Sequence, residues 1–116
     1  MNILVTGGAG YIGSHTCIAL LGAGHAVTVL DNLCNSSVAA LERVQELAGK
    51  QLNFVHGDLR HPHDLTQAFA GGIDAVIHFA ALKAVGESCQ HPLRYFDNNI
   101  AGTIALMQAM QVWLPM

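Results

Sequence analysis

Gly8, Gly10 and Gly13 fall at G-x-G-x-x-G spacing within "TGGAGYIGSH", and Gly7, Gly10 and Gly13 also satisfy G-x-x-G-x-x-G. Residues without side chains at these positions let a strand turn sharply into a helix. They also let backbone amides approach a pyrophosphate at the positive end of that helix. The spacing gains weight from its context, because the apolar run Ile3 to Val5 precedes it and a helix-like segment follows. Asp31 lies 18 residues after Gly13, at the end of a second apolar run, "AVTVL". A carboxylate there accepts from both hydroxyls of an adenosine ribose and repels a 2′-phosphate. No Arg or Lys follows Asp31 until Arg43, so the pattern favours NAD over NADP.

The other reactive side chains carry less. His61, His63 and Asp64 in "RHPHD" do not have the spacing that specifies a metal site, and they read as a loop. His78, at the end of an apolar run, reads as a satisfied core histidine. Cys17, Cys34 and Cys89 form no C-x-x-C pair and are odd in number, which fits reduced thiols. Nothing near Cys34 or Cys89 in the sequence lowers a thiol pKa in an evident way.

Four short apolar runs must position the glycines and Asp31: residues 2–5, 26–30, 53–56 and 75–79, each bounded by Gly, Asn or Asp. Helix-like segments lie between them. Tyr11 to Ala23 spaces Ile12, Cys17, Leu20 and Leu21 mostly on one side, and Gly24 can supply a left-handed cap. Val38 to Ala48 follows "NSS", whose side chains can cap its first amides, and presents Leu41, Val44 and Leu47 on one face. A third helix follows Pro62, with Leu65, Ala68 and Phe69 inward. A fourth starts near Pro92 and carries Phe96, Ile100, Thr103, Ile104 and Met107 at helical spacing. The order βαβαβαβα predicts an α/β fold, a Rossmann-like doubly wound parallel sheet of about four strands with helices on both faces.

Composition bounds the rest. The 116 residues are 52% hydrophobic and only 11% charged, against about 25% charged in ordinary globular chains. Two readings stand: a sheet buried on both faces, or a surface that other protein covers. The net charge is −3 with five scattered basic residues, which offers no phosphate-tracking stripe and argues against a nucleic-acid partner. Met1 leads directly into a strand-like run with no basic segment, and Ala101 to Met116 is too short to span a bilayer. A cytoplasmic location is expected.

The segments "TGGAGYIGSH", "LDNLCNSS", "GDLR", "VIHFAALKAVGES" and "HPLRYFDNNIAGT" resemble consecutive landmarks of the UDP-glucose 4-epimerase family, within the extended short-chain dehydrogenase/reductases. The resemblance covers about Met1 to Gln111. It implies that Gly7, Gly10, Tyr11, Ile12 and Gly13 form the pyrophosphate loop of an NAD site, and that Asp31, Asn32, Asn35 and Ser36 border the adenosine ribose. Asp58 and Leu59 look like the adenine contacts. Phe79, Ala80, Ala81 and Lys83 are expected along the pyrophosphate and nicotinamide ribose, and Asn98 at a further cofactor contact.

In that family a tyrosine takes the proton of the sugar 4-hydroxyl while C4 gives a hydride to NAD. The resemblance therefore implies a UDP-hexose substrate, and a homodimer formed through helices of this half. The tyrosine belongs to a Y-x-x-x-K pair whose lysine lowers the phenol pKa. Here His15 stands four residues after Tyr11 and Asn99 four after Tyr95, so neither tyrosine has that partner. The expectation is an incomplete NAD-binding domain over residues 1–111, a tail at 112–116 that departs from the family pattern, and no substrate domain. Such a chain has no catalytic residue of its own and is expected to be inactive alone. Another sugar-nucleotide epimerase or dehydratase, or a non-catalytic NAD-binding module, is the alternative.

Overall fold

The computed structural model describes residues 1–33, 37–79 and 101–114. Among the described residues, four strands and four helices alternate: β1 (Asn2–Thr6), α1 (Tyr11–Gly22), β2 (Ala26–Asp31), α2 (Val38–Ala48), β3 (Asn53–His56), α3 (Pro62–Phe69), β4 (Ala75–His78) and α4 (Gly102–Trp113). The strands form one parallel sheet in the order β3-β2-β1-β4. Leu4 pairs in register with Thr28 on one side and Val76 on the other. The chain winds outward from β1 to β3 and then crosses back to β4, so the order reverses between β1 and β4. Ligands of doubly wound sheets lie beyond the carboxyl ends of the strands at such a reversal.

Side chains of a strand alternate between faces, and both faces of this sheet are covered. Ile3, Val5, Val27 and Val29 pack with Cys17 and Leu21 of α1 and with Leu41 and Val44 of α2. Leu4 and Leu30 pack on the opposite face with Leu65, Ala68 and Phe69 of α3 and Leu106 of α4. A sheet buried on both faces needs long apolar strands and little charge, which accounts for much of the composition.

Three helix faces differ from the periodicity reading. On α2, Leu47 is 67% exposed, while Ala48 packs against the core with Leu41 and Val44. After Val44 the inward position comes four residues on, not three. On α1, Ile12 lies in the first turn, beyond the sheet, and is exposed while Cys17 and Leu21 are buried. On α4, Ile104 and Met107 are exposed, and Gly102 and Leu106 face inward with Ala105, Ala109 and Met110 alongside. That helix is apolar on nearly every side, so spacing alone could not choose its buried stripe. Phe96 and Ile100 lie outside the described residues. Gly24 takes φ +91° after α1, as a left-handed cap requires. Ser37 precedes α2 in extended conformation without capping it through its side chain, and the other two residues of "NSS" are outside the described set.

Candidate functional site

The turn from β1 into α1 is built by what its glycines lack. Gly7 adopts φ +73°, and its carbonyl accepts from Gly10 N–H at 3.1 Å. That carbonyl then lies so close to α1 that a Cβ on Gly13 would sit 2.2 Å from Gly7 O, which only glycine avoids. A Cβ on Gly8 would lie 2.7 Å from a Val29 methyl. Gly10 has more room, its nearest atom being Gly7 O at 3.4 Å, so local packing does not require a glycine there. Helix α1 begins at Tyr11 with no side-chain cap and no acidic residue in its first turn. An uncapped N-terminus beyond a sharp glycine turn fits a phosphate group, whose charge the helix dipole favours.

Asp31 ends β2 beside this turn and is only 8% exposed. Its Oδ2 accepts from Ala9 N–H at 3.0 Å, and its Oδ1 from Leu33 N–H at 2.7 Å. One carboxylate thus ties the glycine turn to the loop after β2, where Leu33 holds a left-handed φ of 59°. Asn32 sits in that loop, its carbonyl 3.3 Å from His56 Nε2. The sequence pointed to Asp31 as a ligand for ribose, and gave no sign that it also carries the turn.

The loop from β3 into α3 is wired by carboxylates. Asp58 Oδ1 accepts from Arg60 N–H at 2.8 Å and Nε–H at 3.0 Å, and its Oδ2 from Nη2–H at 2.7 Å. These bonds from Arg60, with its charge, hold the Asp58 carboxyl at about 2, against a partial desolvation that works the other way. Asp64, in the first turn of α3, accepts from Asp58 N–H at 2.9 Å and lies 3.3 Å from His61 Nδ1. Gly57 completes the loop, since a Cβ there would meet the Asp64 carboxyl carbon at 2.6 Å. Leu59 is buried in the core, so a ligand at this loop meets its backbone rather than its side chain.

Across the reversal, Phe79 N–H donates to Thr6 O at 2.8 Å, extending the β1–β4 pairing, and its side chain is partly buried. His78 bonds the Thr6 hydroxyl through Nδ1 at 2.5 Å and the Thr103 hydroxyl of α4 through Nε2 at 3.1 Å. It is satisfied as the sequence suggested, but it stands at the exposed end of β4 rather than in the core. Tyr11 and Ile12 are exposed at the mouth of the glycine turn, Tyr11 edge-on to His15 with ring centres 4.7 Å apart. Cys17 is buried with its thiol pushed up to about 11 by desolvation, which leaves it unreactive. Among the described residues, no group of three or more His, Cys, Asp and Glu is placed to hold a metal.

The structure therefore brings Gly7, Gly10, Tyr11, Ile12, Gly13, Asp31, Asn32, Asp58, Leu59 and Phe79 to one edge of the sheet. Asn35, Ser36, Ala80, Ala81, Lys83 and Asn98 lie outside the described residues. Gly57 and Arg60 carry no role in the sequence analysis, and His63 and Asp64, expected there in a loop, lie instead in the first turn of α3, which Pro62 starts. The order D-x-R-x-x-x-D across a strand-to-helix turn is the signal that could have found them.

Residues 4–114 match the family described as GDP-mannose 4,6 dehydratase. The chain is 54% identical over 112 residues to a UDP-glucose 4-epimerase of Klebsiella pneumoniae, covering 96% of this chain and 81% of that sequence. It is 57% identical to the UDP-glucose 4-epimerase of Bacillus subtilis, again over 96% of this chain but 33% of the relative. A UDP-glucose 4-epimerase from Stenotrophomonas maltophila, crystallised with NAD and formylated UDP-arabinopyranose, superposes with a TM-score of 0.92 at 53% identity, covering 96% of this chain and 33% of that one. The enzyme from Bifidobacterium longum, in complex with NAD+ and UDP, gives 0.93 at 48% identity, covering 97% and 34%. The chain thus spans about a third of the length of most of these relatives. No helix among the described residues is long and apolar enough to cross a membrane. With the glycine turn, Asp31 and the strand order all of this pattern, the chain belongs to the GDP-mannose 4,6 dehydratase family and, within it, to the UDP-glucose 4-epimerases.

Proposed function

We propose that this chain is the NAD-binding portion of a UDP-glucose 4-epimerase, a cytoplasmic enzyme that interconverts UDP-glucose and UDP-galactose. The observation that carries the reading is the bond from Ala9 N–H to Asp31 Oδ2, which fixes a phosphate turn and a ribose-reading carboxylate as one unit. Gly7, Gly10 and Gly13 keep the approach to the α1 N-terminus open for a pyrophosphate, and Tyr11 and Ile12 flank it. Asp31 accepts from the adenosine ribose, assisted by Asn32, Asn35 and Ser36. Asp58 and the Leu59 backbone hold the adenine. Phe79, Ala80, Ala81, Lys83 and Asn98 line the path towards the nicotinamide. Bound NAD supplies a reversible hydride acceptor for C4 of a UDP-hexose.

The domain is assigned to residues 1–111, with residues 112–116 as a departing tail. The exposed apolar residues Ile104, Met107 and Val112 of α4 support a homodimer through that helix. Nucleic acid and membrane are not among the proposed partners. With no Y-x-x-x-K among these 116 residues, the chain alone binds cofactor without turnover. Titration with NAD and NADP tests the cofactor, and a coupled assay with UDP-galactose, on protein free of host epimerase, tests the turnover. Selective NAD binding without sustained activity is expected. Equal affinity for both dinucleotides would remove the Asp31 assignment, and activity that vanishes on Tyr95→Phe would remove the inactive-fragment reading.

A further inference from the structure

The Asp58 carboxylate is largely buried, with 13% of its side chain exposed, and Arg60 supplies three of its donors. A carboxylate offers about four lone-pair directions. Oδ1 takes two donors and Oδ2 takes one, so among the described residues the fourth direction, on Oδ2, lies outside these bonds. An acceptor held this way suits a single N–H donor. It repels a carbonyl oxygen, because a carboxylate kept at about 2 has no proton to give at neutral pH. The Arg60 stem runs beside the start of α4, its Cγ 3.9 Å from where a Cβ of Gly102 would be.

Resting on the proposal that Asp58 meets the cofactor's adenine, we infer that Arg60 is a positioning residue that aims Asp58 and makes this loop select a 6-amino over a 6-oxo purine. Bidentate holding by a planar guanidinium fixes the carboxylate plane in a way that a lysine ammonium, a point charge on a flexible stem, does not. Selection between the two purines then follows from orientation as well as from charge.

The test is calorimetric titration of the chain with NAD and with nicotinamide hypoxanthine dinucleotide, which carries a 6-oxo group in place of the amine. The unmodified chain, Arg60→Gln, Arg60→Lys and Asp58→Asn are compared, with circular dichroism confirming that each is folded. The unmodified chain is expected to prefer NAD. Arg60→Gln and Arg60→Lys should each lower that preference by about tenfold, the scale of a charged hydrogen bond, with little change in affinity for the oxo analogue. Asp58→Asn should remove the preference. Arg60 variants that weaken both dinucleotides equally, or that keep the preference which Asp58→Asn loses, would overturn the positioning role and leave the NAD reading intact. An unmodified chain that binds neither dinucleotide would remove that reading and this inference together.

Discussion

Two loops at the carboxyl edge of this sheet, after β1 and after β3, are built by opposite means. The turn after β1 exists because side chains are missing: Gly7 takes a left-handed φ, and Gly13 gives way to a backbone carbonyl that no shift of a side chain could move aside. The loop after β3 exists because side chains are present. Asp58, Arg60 and Asp64 add side-chain hydrogen bonds to its backbone ones, and even its glycine, Gly57, makes room for a carboxylate rather than for backbone. The first loop therefore admits no side chain at Gly13, whereas the second is held by contacts that can be exchanged.

The sharpest way to break that contrast is Gly13→Ala. The added Cβ would lie 2.2 Å from Gly7 O and 2.9 Å from Gly8 Cα, both backbone. Overpacking ordinarily costs about 1–3 kcal/mol. Here the neighbouring turn must be rebuilt, so the upper end of that range or more is expected, with loss of NAD binding. Gly10→Ala should cost far less stability, since its Cβ would stand 3.4 Å from the nearest atom. Urea denaturation of both variants measures the difference. Equal stability for the two would mean that the turn relaxes and is not built on excluded volume.

Asp31 is where the two strategies meet, a carboxylate on which the glycine turn depends. Removing it strands Ala9 N–H and Leu33 N–H, and an unpaired buried polar group costs about 1–3 kcal/mol. Asp31→Ala should lower stability by about 2 kcal/mol, weaken NAD and narrow its preference over NADP. Urea midpoints and parallel titrations separate the two roles. A variant of unchanged stability would show that Asp31 serves ribose alone.

What could be read from the sequence follows the same division. Glycine spacing and Asp31 were legible because excluded volume and strand–turn–helix order leave a regular pattern in residue types. The strands were legible as short apolar runs, and burial on both faces was one of the two readings that the low charge allowed. The inward faces were misjudged at Ile12 in the first turn of α1, which lies beyond the sheet, and on α2 and α4 where leucine, isoleucine or methionine occurs on several sides. The wiring of Asp58, Arg60 and Asp64 was not legible as a unit, because "GDLRHPHD" reads locally as a polar loop. Which carboxylate accepts from which amide is decided by backbone geometry that no residue type announces. His78 shows the same limit: its hydroxyl partners, Thr6 and Thr103, are far away in sequence and meet it only once β1 and α4 are in place.

A double substitution tests whether the second loop is exchangeable. Gly57→Ala pushes on the Asp64 carboxyl, and a side chain can swing away at the cost of its bond to Asp58 N–H. The single variant should lose about 1–1.5 kcal/mol, the worth of one such bond. Asp64→Ala should lose a similar amount, and the two together little more than either, since both break one contact. Additive losses, measured by urea denaturation, would show that Gly57 is needed for some other reason.

The smallest expected effect concerns pH and refines the account of the same loop. The folded Asp58 carboxyl, at about 2, lies below its ordinary value of 3.8 because Arg60 bonds the ionised form. A depressed carboxylate stabilises the fold at pH above its unfolded value, and that contribution fades as pH falls from about 4 through about 2. Because the Arg60 side chain is 37% exposed, screening reduces the contribution, and about 1 kcal/mol is a fair expectation. The unmodified chain should therefore exceed Arg60→Gln in stability by that amount at pH 5, and the gap should close as pH approaches 2. Other carboxylates protonate over the same range, so the informative quantity is the difference between the two proteins, which removes what they share. A gap that stayed constant from pH 5 to pH 2 would mean that Arg60 stabilises the loop through its stem packing near Gly102 rather than through the charge on Asp58.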